Sequence, residues 1–197
     1  MITKATLLKC SIEQFTQYGS KHVTLDDLAR ELGISKKTIY SFFKNKEDLV
    51  SSSVESIINE YKEDIDRIII SNANDPVLSV MLIYKRGFQY LQYFKPSFIF
   101  GIEKYYPKAN KLYNDFIEAL ANSIVLDLLK KGKALGAIEK DINLELVVKL
   151  YFYRVDHLIF KENNLFESHS ESELFKHLVT NNLRGIIAKD YSNSYFE

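Results

Sequence analysis

The chain has 197 residues, with 46% hydrophobic and 26% charged side chains, enough length and apolar content for an ordinary globular core and too much for a disordered chain. Lys+Arg and Asp+Glu both number 26, so there is no global attraction to nucleic acid or to a membrane surface, only whatever the local distribution provides. A single cysteine, Cys10, excludes a disulfide framework or a cysteine-rich zinc site. Together with the absence of any apolar run of membrane-spanning length, this leads us to expect a reduced, cytoplasmic setting with no membrane contact.

Seven Gly and three Pro are sparse punctuation and favour long helices over a turn-rich β fold. The first helix is expected over residues 3–18, with Leu8, Ile12 and Phe15 on one face and Gly19 as its stop. Thr24 then caps LDDLAREL, placing Asp26 and Asp27 in the first turn and Leu25, Leu28, Ala29 and Leu32 on one side. After Gly33-Ile34-Ser35, a very short helix is expected at about residues 36–43. Asn45 caps a much longer one carrying Leu49, Val50, Val54, Ile57, Tyr61, Ile65 and Ile68.

Asp75-Pro76 opens a fifth helix running towards Tyr93, and Pro96 and Pro107 bracket a short aromatic one. Further helices are expected over residues 108–131, 143–162 and 171–189, with no internal repeat. The fold class is therefore all-α, with about nine helices in two domains, 1–46 and 47–197. Charge supports that boundary. Residues 1–46 hold eight Lys or Arg against four Asp or Glu, and the remainder holds eighteen against twenty-two, so a basic head precedes an acidic body.

Two helices joined by a three-residue turn containing Gly form a helix-turn-helix pattern, whose second helix enters a DNA major groove. The first helix supplies an apolar brace. The second needs to bury only Ile39 and Phe43, leaving Lys36, Lys37, Thr38, Tyr40 and Ser41 free to meet a base edge or a phosphate. TLDDLARELGISKKTIYSFFKNKEDLV, preceded by Phe15 and Gly19, resembles the DNA-binding segment of the TetR family of bacterial transcriptional regulators. The matching features are Leu28-Ala29, the Gly33-Ile34-Ser35 turn, Thr38-Ile39-Tyr40-Ser41-Phe42-Phe43 and Lys46-Glu47-Asp48-Leu49. GAIEKDINLELV, farther on, is similar to the loop before that family's last two helices.

The resemblance implies a homodimer on a palindromic double-stranded DNA operator, released by a small molecule bound in the C-terminal domain, with repression as the expected outcome. It places Lys36, Lys37 and Thr38 at the groove, with Ser35, Ser41 and Phe42 as further candidates for DNA contact. Tyr40, Lys46 and Thr24 are placed on phosphates. Lys37 departs from the small residue frequent at its position. Phe42 is open between a thymine methyl and packing on the first helix, and Lys36-Lys37 between DNA and plain solvated surface.

Tyr84, Phe88, Phe98, Tyr105, Phe116, Tyr151 and Asp156 are candidates for lining a pocket for an apolar or aromatic ligand, against the alternative that such aromatics are simply core. Tyr153, His157, Phe175, Leu178, Val179, Leu183 and Ile186 are candidates for the dimer interface, since a segment as apolar as residues 150–160 needs covering on more than one side. No phosphate loop, clustered histidines or paired carboxylates suggest an enzyme, and no cofactor or metal is expected. The competing reading is a helical ligand-binding or protein-interaction module without specific DNA binding.

Overall fold

The computed structural model describes residues 2–91, 96–157 and 165–196. Helices α1 (Lys4–Tyr18), α2 (Leu25–Glu31), α3 (Lys36–Tyr40), α4 (Lys46–Ser71), α5 (Pro76–Leu91), α6 (Pro96–Tyr105) and α7 (Pro107–Ala119) come first. A π-helical turn, Leu120–Val125, joins α7 directly to α8 (Leu126–Ala134). Then come α9 (Leu144–Asp156), a 3-10 turn at Leu165–Glu167, and α10 (Glu171–Phe175), which a second π turn (Lys176–Thr180) continues into α11 (Asn181–Arg184). Counting each uninterrupted run once, the described residues form nine rods. Among them there is no strand, only an isolated antiparallel bridge between Ile138 and Ile187. That bridge, with Glu139 N–H donating to Ile186 O at 3.0 Å and Ala188 N–H to Ala137 O at 3.0 Å, stops the last helix at Arg184, short of residue 189. No helix among the described residues is long and apolar enough to cross a membrane.

The chain divides into two compact units. Met1–Glu60 with Tyr93–Phe116 forms one, and Tyr61–Gln92 with Ile117–Glu197 forms the other. In the first unit, Leu7, Phe15, Leu28, Ile39, Phe43, Leu49 and Val50 are at most 2% exposed and make the core. The inward side of α1 is set by Leu7, Ser11 and Phe15, with Leu8 and Ile12 at its margin. Ser11 can face inward because its hydroxyl donates to Leu7 O at 2.8 Å, which satisfies a polar group that hydrophobic periodicity alone would place outside.

Gly33 adopts φ +60°, the left-handed conformation that ends α2 with Ile34 N–H donating to Ala29 O at 2.9 Å. Helix α6 lies against the α1–α2 turn. A methyl group at Gly101 would sit 2.6 Å from Ser20 Oγ, so any larger residue would require that side chain to move. Tyr106 Oη donates to Ser20 O at 3.1 Å from a buried position and fastens the same turn.

In the second unit α5 packs on α8, and α8 on α9. Tyr61 donates its buried phenol proton to Ile83 O at 2.7 Å. Asp64 accepts from Arg86, Arg67 and the hydroxyl of Tyr90, so its carboxylate is matched by two guanidinium groups.

Because Phe15 is fully enclosed, Phe15→Ala should cost about 3–5 kcal/mol. Denaturant unfolding followed by circular dichroism measures it, and a loss under about 1 kcal/mol would show that the head does not depend on that ring.

Candidate nucleic-acid interface

Local capping closes the ends of the helices around α3. Thr24 caps α2 in a reciprocal box: Asp27 N–H donates to Thr24 Oγ1 at 3.1 Å, and Thr24 N–H and Oγ1 donate to Asp27 Oδ2 at 2.9 and 2.7 Å. These donors hold the Asp27 carboxyl below the usual carboxylate range. Ser35 caps α3, accepting from Thr38 N–H at 3.2 Å, and Ser41 closes it by donating to Thr38 O at 2.7 Å. Helix α3 is one turn and a half long and is anchored by Ile39, with Phe43 just beyond its end, as the spacing predicts.

All nine residues expected at DNA fall in this region. Ser35, Lys36, Lys37, Tyr40 and Ser41 are exposed. Thr24 is also exposed, while Thr38, Phe42 and Lys46 are half-buried. Tyr40, 51% exposed, points out of the core and not into it. Lys36 is not a bare cation. Its ammonium lies 2.8 Å from Asp26 Oδ2 on α2, and that hydrogen bond raises its affinity for the proton. Lys37, one residue on, is exposed and forms no ion pair among the described residues. Lys46 donates to Lys21 O at 3.3 Å and lies over the Tyr106 ring; burial lowers its pKa.

The remaining candidates separate. Tyr84 and Tyr151 stack with centroids 3.9 Å apart, and Phe88 packs edge-on against Phe166 and Phe175 at 5.8 and 5.9 Å, all in the second unit. Asp156 is half-buried at the end of α9. Phe98, Tyr105 and Phe116 belong to the first unit, where Phe98 and Phe116 are buried and Tyr105 lies at the surface against Lys21. The expected single aromatic cluster is therefore shared between two units.

Of the residues expected at a subunit interface, Phe175, Leu178, Val179, Leu183 and Ile186 are each no more than 8% exposed within their own chain, so they are already covered by its own core. His157 stacks on Tyr153 at 5.8 Å, and Tyr153 is 66% exposed. Leu146 and Leu150, which periodicity places with Tyr153 at i, i+4 and i+7, are half exposed. That stripe was legible in INLELVVKLYFYRV but hidden by the apolar residues around it. Among the described residues no group of three or more His, Cys, Asp or Glu is arranged to hold a metal.

Residues 7–52 match the sequence model of "Bacterial regulatory proteins, tetR family". The first quarter of the chain is thus similar to the DNA-binding segment of the tetR-family regulatory proteins. Among its relatives are the uncharacterized HTH-type transcriptional regulator YvaF of Bacillus subtilis, 28% identical over 87% of this chain and 89% of that one, and the HTH-type transcriptional repressor KstR2 of Mycolicibacterium smegmatis, 23% identical over 73% and 71%. The fold also matches the transcriptional regulator FadR of Bacillus subtilis in complex with stearoyl-CoA, with a TM-score of 0.73 and 18% identity over 93% of this chain and all of that one.

The capping box gives a pH signature. Asp27 titrates below its unfolded value, so the stabilisation it gives is complete above the ordinary aspartate range and is lost as pH falls through the lowered value. Hydrogen exchange at the amides of Thr24 and Asp27 should accelerate in that acid window. Asp27→Asn should abolish the step, and an unchanged profile in the variant would assign the loss to another group.

Proposed function

We propose that the chain is a homodimeric repressor of the cytoplasm. In this reading residues 1–46 read a palindromic operator, and residues 47–197 hold the partner and a small ligand whose binding lowers DNA affinity. The observation that carries the reading is α3 itself, a helix buried only through Ile39 and presenting Lys36, Lys37, Thr38, Tyr40 and Ser41 on its open side. With Ile39 as its only buried residue, nearly the whole surface of α3 is available to a groove. Thr24 and Lys46 flank it with donors suited to phosphate, fixing register while α3 reads bases. Lys37 carries the direct contact in this scheme, since Lys36 must first leave Asp26.

Two copies are needed to place recognition helices about 34–36 Å apart in successive major grooves. The exposed stripe Leu146, Leu150 and Tyr153 on α9 supports a helix-on-helix seam between copies, rimmed by Lys149 and Arg154. Ligand control rests on α4, which begins at Lys46 in the first unit and continues past residue 60 into the second. A ligand that binds better to one arrangement of the dimer shifts the population towards it. Both KstR2 and FadR are regulators by name, and FadR was solved with an acyl-CoA. The tyrosines and phenylalanines of the second unit suit an apolar or aromatic group.

Selection of genomic fragments by the full chain at low and moderate salt should return a palindromic site that survives the higher salt. Lys37→Ala should then cost about 1–3 kcal/mol of operator affinity and broaden base preference at one position. Equal binding to all fragments that vanishes with salt would favour the module without specific DNA reading. Leu150→Glu should turn a dimer into a monomer in sedimentation equilibrium with helix content retained. A monomeric wild type would remove the seam from the scheme.

A further inference from the structure

Outside the helix-turn-helix, the first unit carries a second concentration of positive charge. Lys21 lies in the α1–α2 turn, three residues before Thr24. Its Nζ donates to Tyr105 Oη at 2.9 Å and stands 4.6 Å from the centre of that ring. Lys104, on the last turn of α6, approaches the same ring at 5.6 Å and the exposed ring of Phe100 at 5.3 Å. Two ammonium groups thus hold one phenol, and the Lys21 hydrogen bond with the Lys104 charge keeps Tyr105 below its ordinary pKa. Both lysines are exposed, and neither forms an ion pair with a carboxylate among the described residues; Glu103, next in the chain, pairs with neither.

The patch is continuous with the candidate DNA interface, because Lys46 donates to the carbonyl of Lys21. On the opposite side it ends at Lys108, whose Nζ lies 3.9 Å from Asp48. It also stands on a fixed base, since Tyr106 bonds Ser20 O and Gly101 admits the turn at van der Waals distance. Ammonium groups without carboxylate partners, on a turn and on the helix packed against it, suit a polyanion with regularly spaced charges. Tyr105 accepts from Lys21, which leaves its own O–H to donate to a phosphate oxygen.

We propose that Lys21, Lys104 and Tyr105 form a second phosphate-gripping edge, by which α6 holds the DNA backbone flanking the site that α3 reads. The proposal rests on the DNA-binding reading above. It adds a contact from outside the helix-turn-helix. Because it concerns phosphates, it acts on any duplex and can be tested before the operator is known.

The test measures binding of the full-length protein to a 30-base-pair duplex of arbitrary sequence across a series of KCl concentrations, for wild type, Lys21→Gln, Lys104→Gln, the double variant and Lys130→Gln. Lys130 is exposed on α8 and serves as control. Each lost phosphate contact should reduce the slope of log affinity against log salt by about 0.9, so the double variant should lose about twice that, with the control unchanged. Lys104→Arg should restore the slope, and Tyr105→Phe should weaken binding at every salt concentration without altering it. Wild-type slope in both single variants and the double, with melting temperatures unchanged, would overturn the second edge while leaving the helix-turn-helix reading intact. A wild type that binds no duplex at any salt would overturn both.

Discussion

A helix of five residues cannot hold itself together in water, since the cost of nucleating its first turn exceeds what so few hydrogen bonds return. Everything the head does depends on the burial of Ile39 and Phe43 among Leu7, Phe15, Leu28 and Leu49. Two side chains suffice because the ends of α3 are closed independently, by Ser35 at the start and Ser41 at the finish. With its anchor on one side and its ends capped, α3 can devote the rest of its surface to hydrogen-bonding and charged groups. The cost of that arrangement is carried by α1, α2 and the start of α4, which exist in the first unit largely as the walls of this socket.

How much of this was legible in the sequence follows from the range of the forces involved. Thr24, Gly33, Ser35 and Asn45 act on their immediate neighbours, so caps and turns could be read from residue type and spacing. The short α3 and its anchors followed directly. The inward side of α1 was misjudged by about one position because Ser11 hides its hydroxyl against its own helix, an option hydropathy does not encode. The aromatic residues were harder for a deeper reason. Phe98 and Tyr84 look alike in sequence, but one closes the head's unit and the other stacks on Tyr151 in the second unit, a difference decided by tertiary packing alone. The same holds for Phe175, Leu178, Val179, Leu183 and Ile186. A strongly apolar helix must be covered, but its own chain proved sufficient cover, and the face left open lies on α9.

Charge shows a similar division between composition and geometry. The cations of the first unit are not equivalent. Lys36 is engaged by Asp26, Lys46 is partly desolvated, Lys108 faces Asp48, and Lys37, Lys21 and Lys104 stand without carboxylates. An ammonium already matched by a carboxylate gains less from a phosphate, because it must surrender one strong partner for another. A tally of lysines therefore overstates attraction, and pairing decides which of them can contribute to a nucleic-acid contact.

The joint between Gly101 and Ser20 brings one last property into view. Where long side chains separate two helices, a displacement of one is absorbed by rotamer changes before it reaches the other backbone. Here there is no such cushion. α6 meets the turn with nothing larger than a hydrogen atom at Gly101, and Tyr106 binds the turn's carbonyl directly. Close-packed contacts of this kind have low compressibility, so a fraction of an ångström along α6 arrives at Ser20 nearly undiminished. Mechanically the first unit behaves at this point as a stiff coupling instead of a spring.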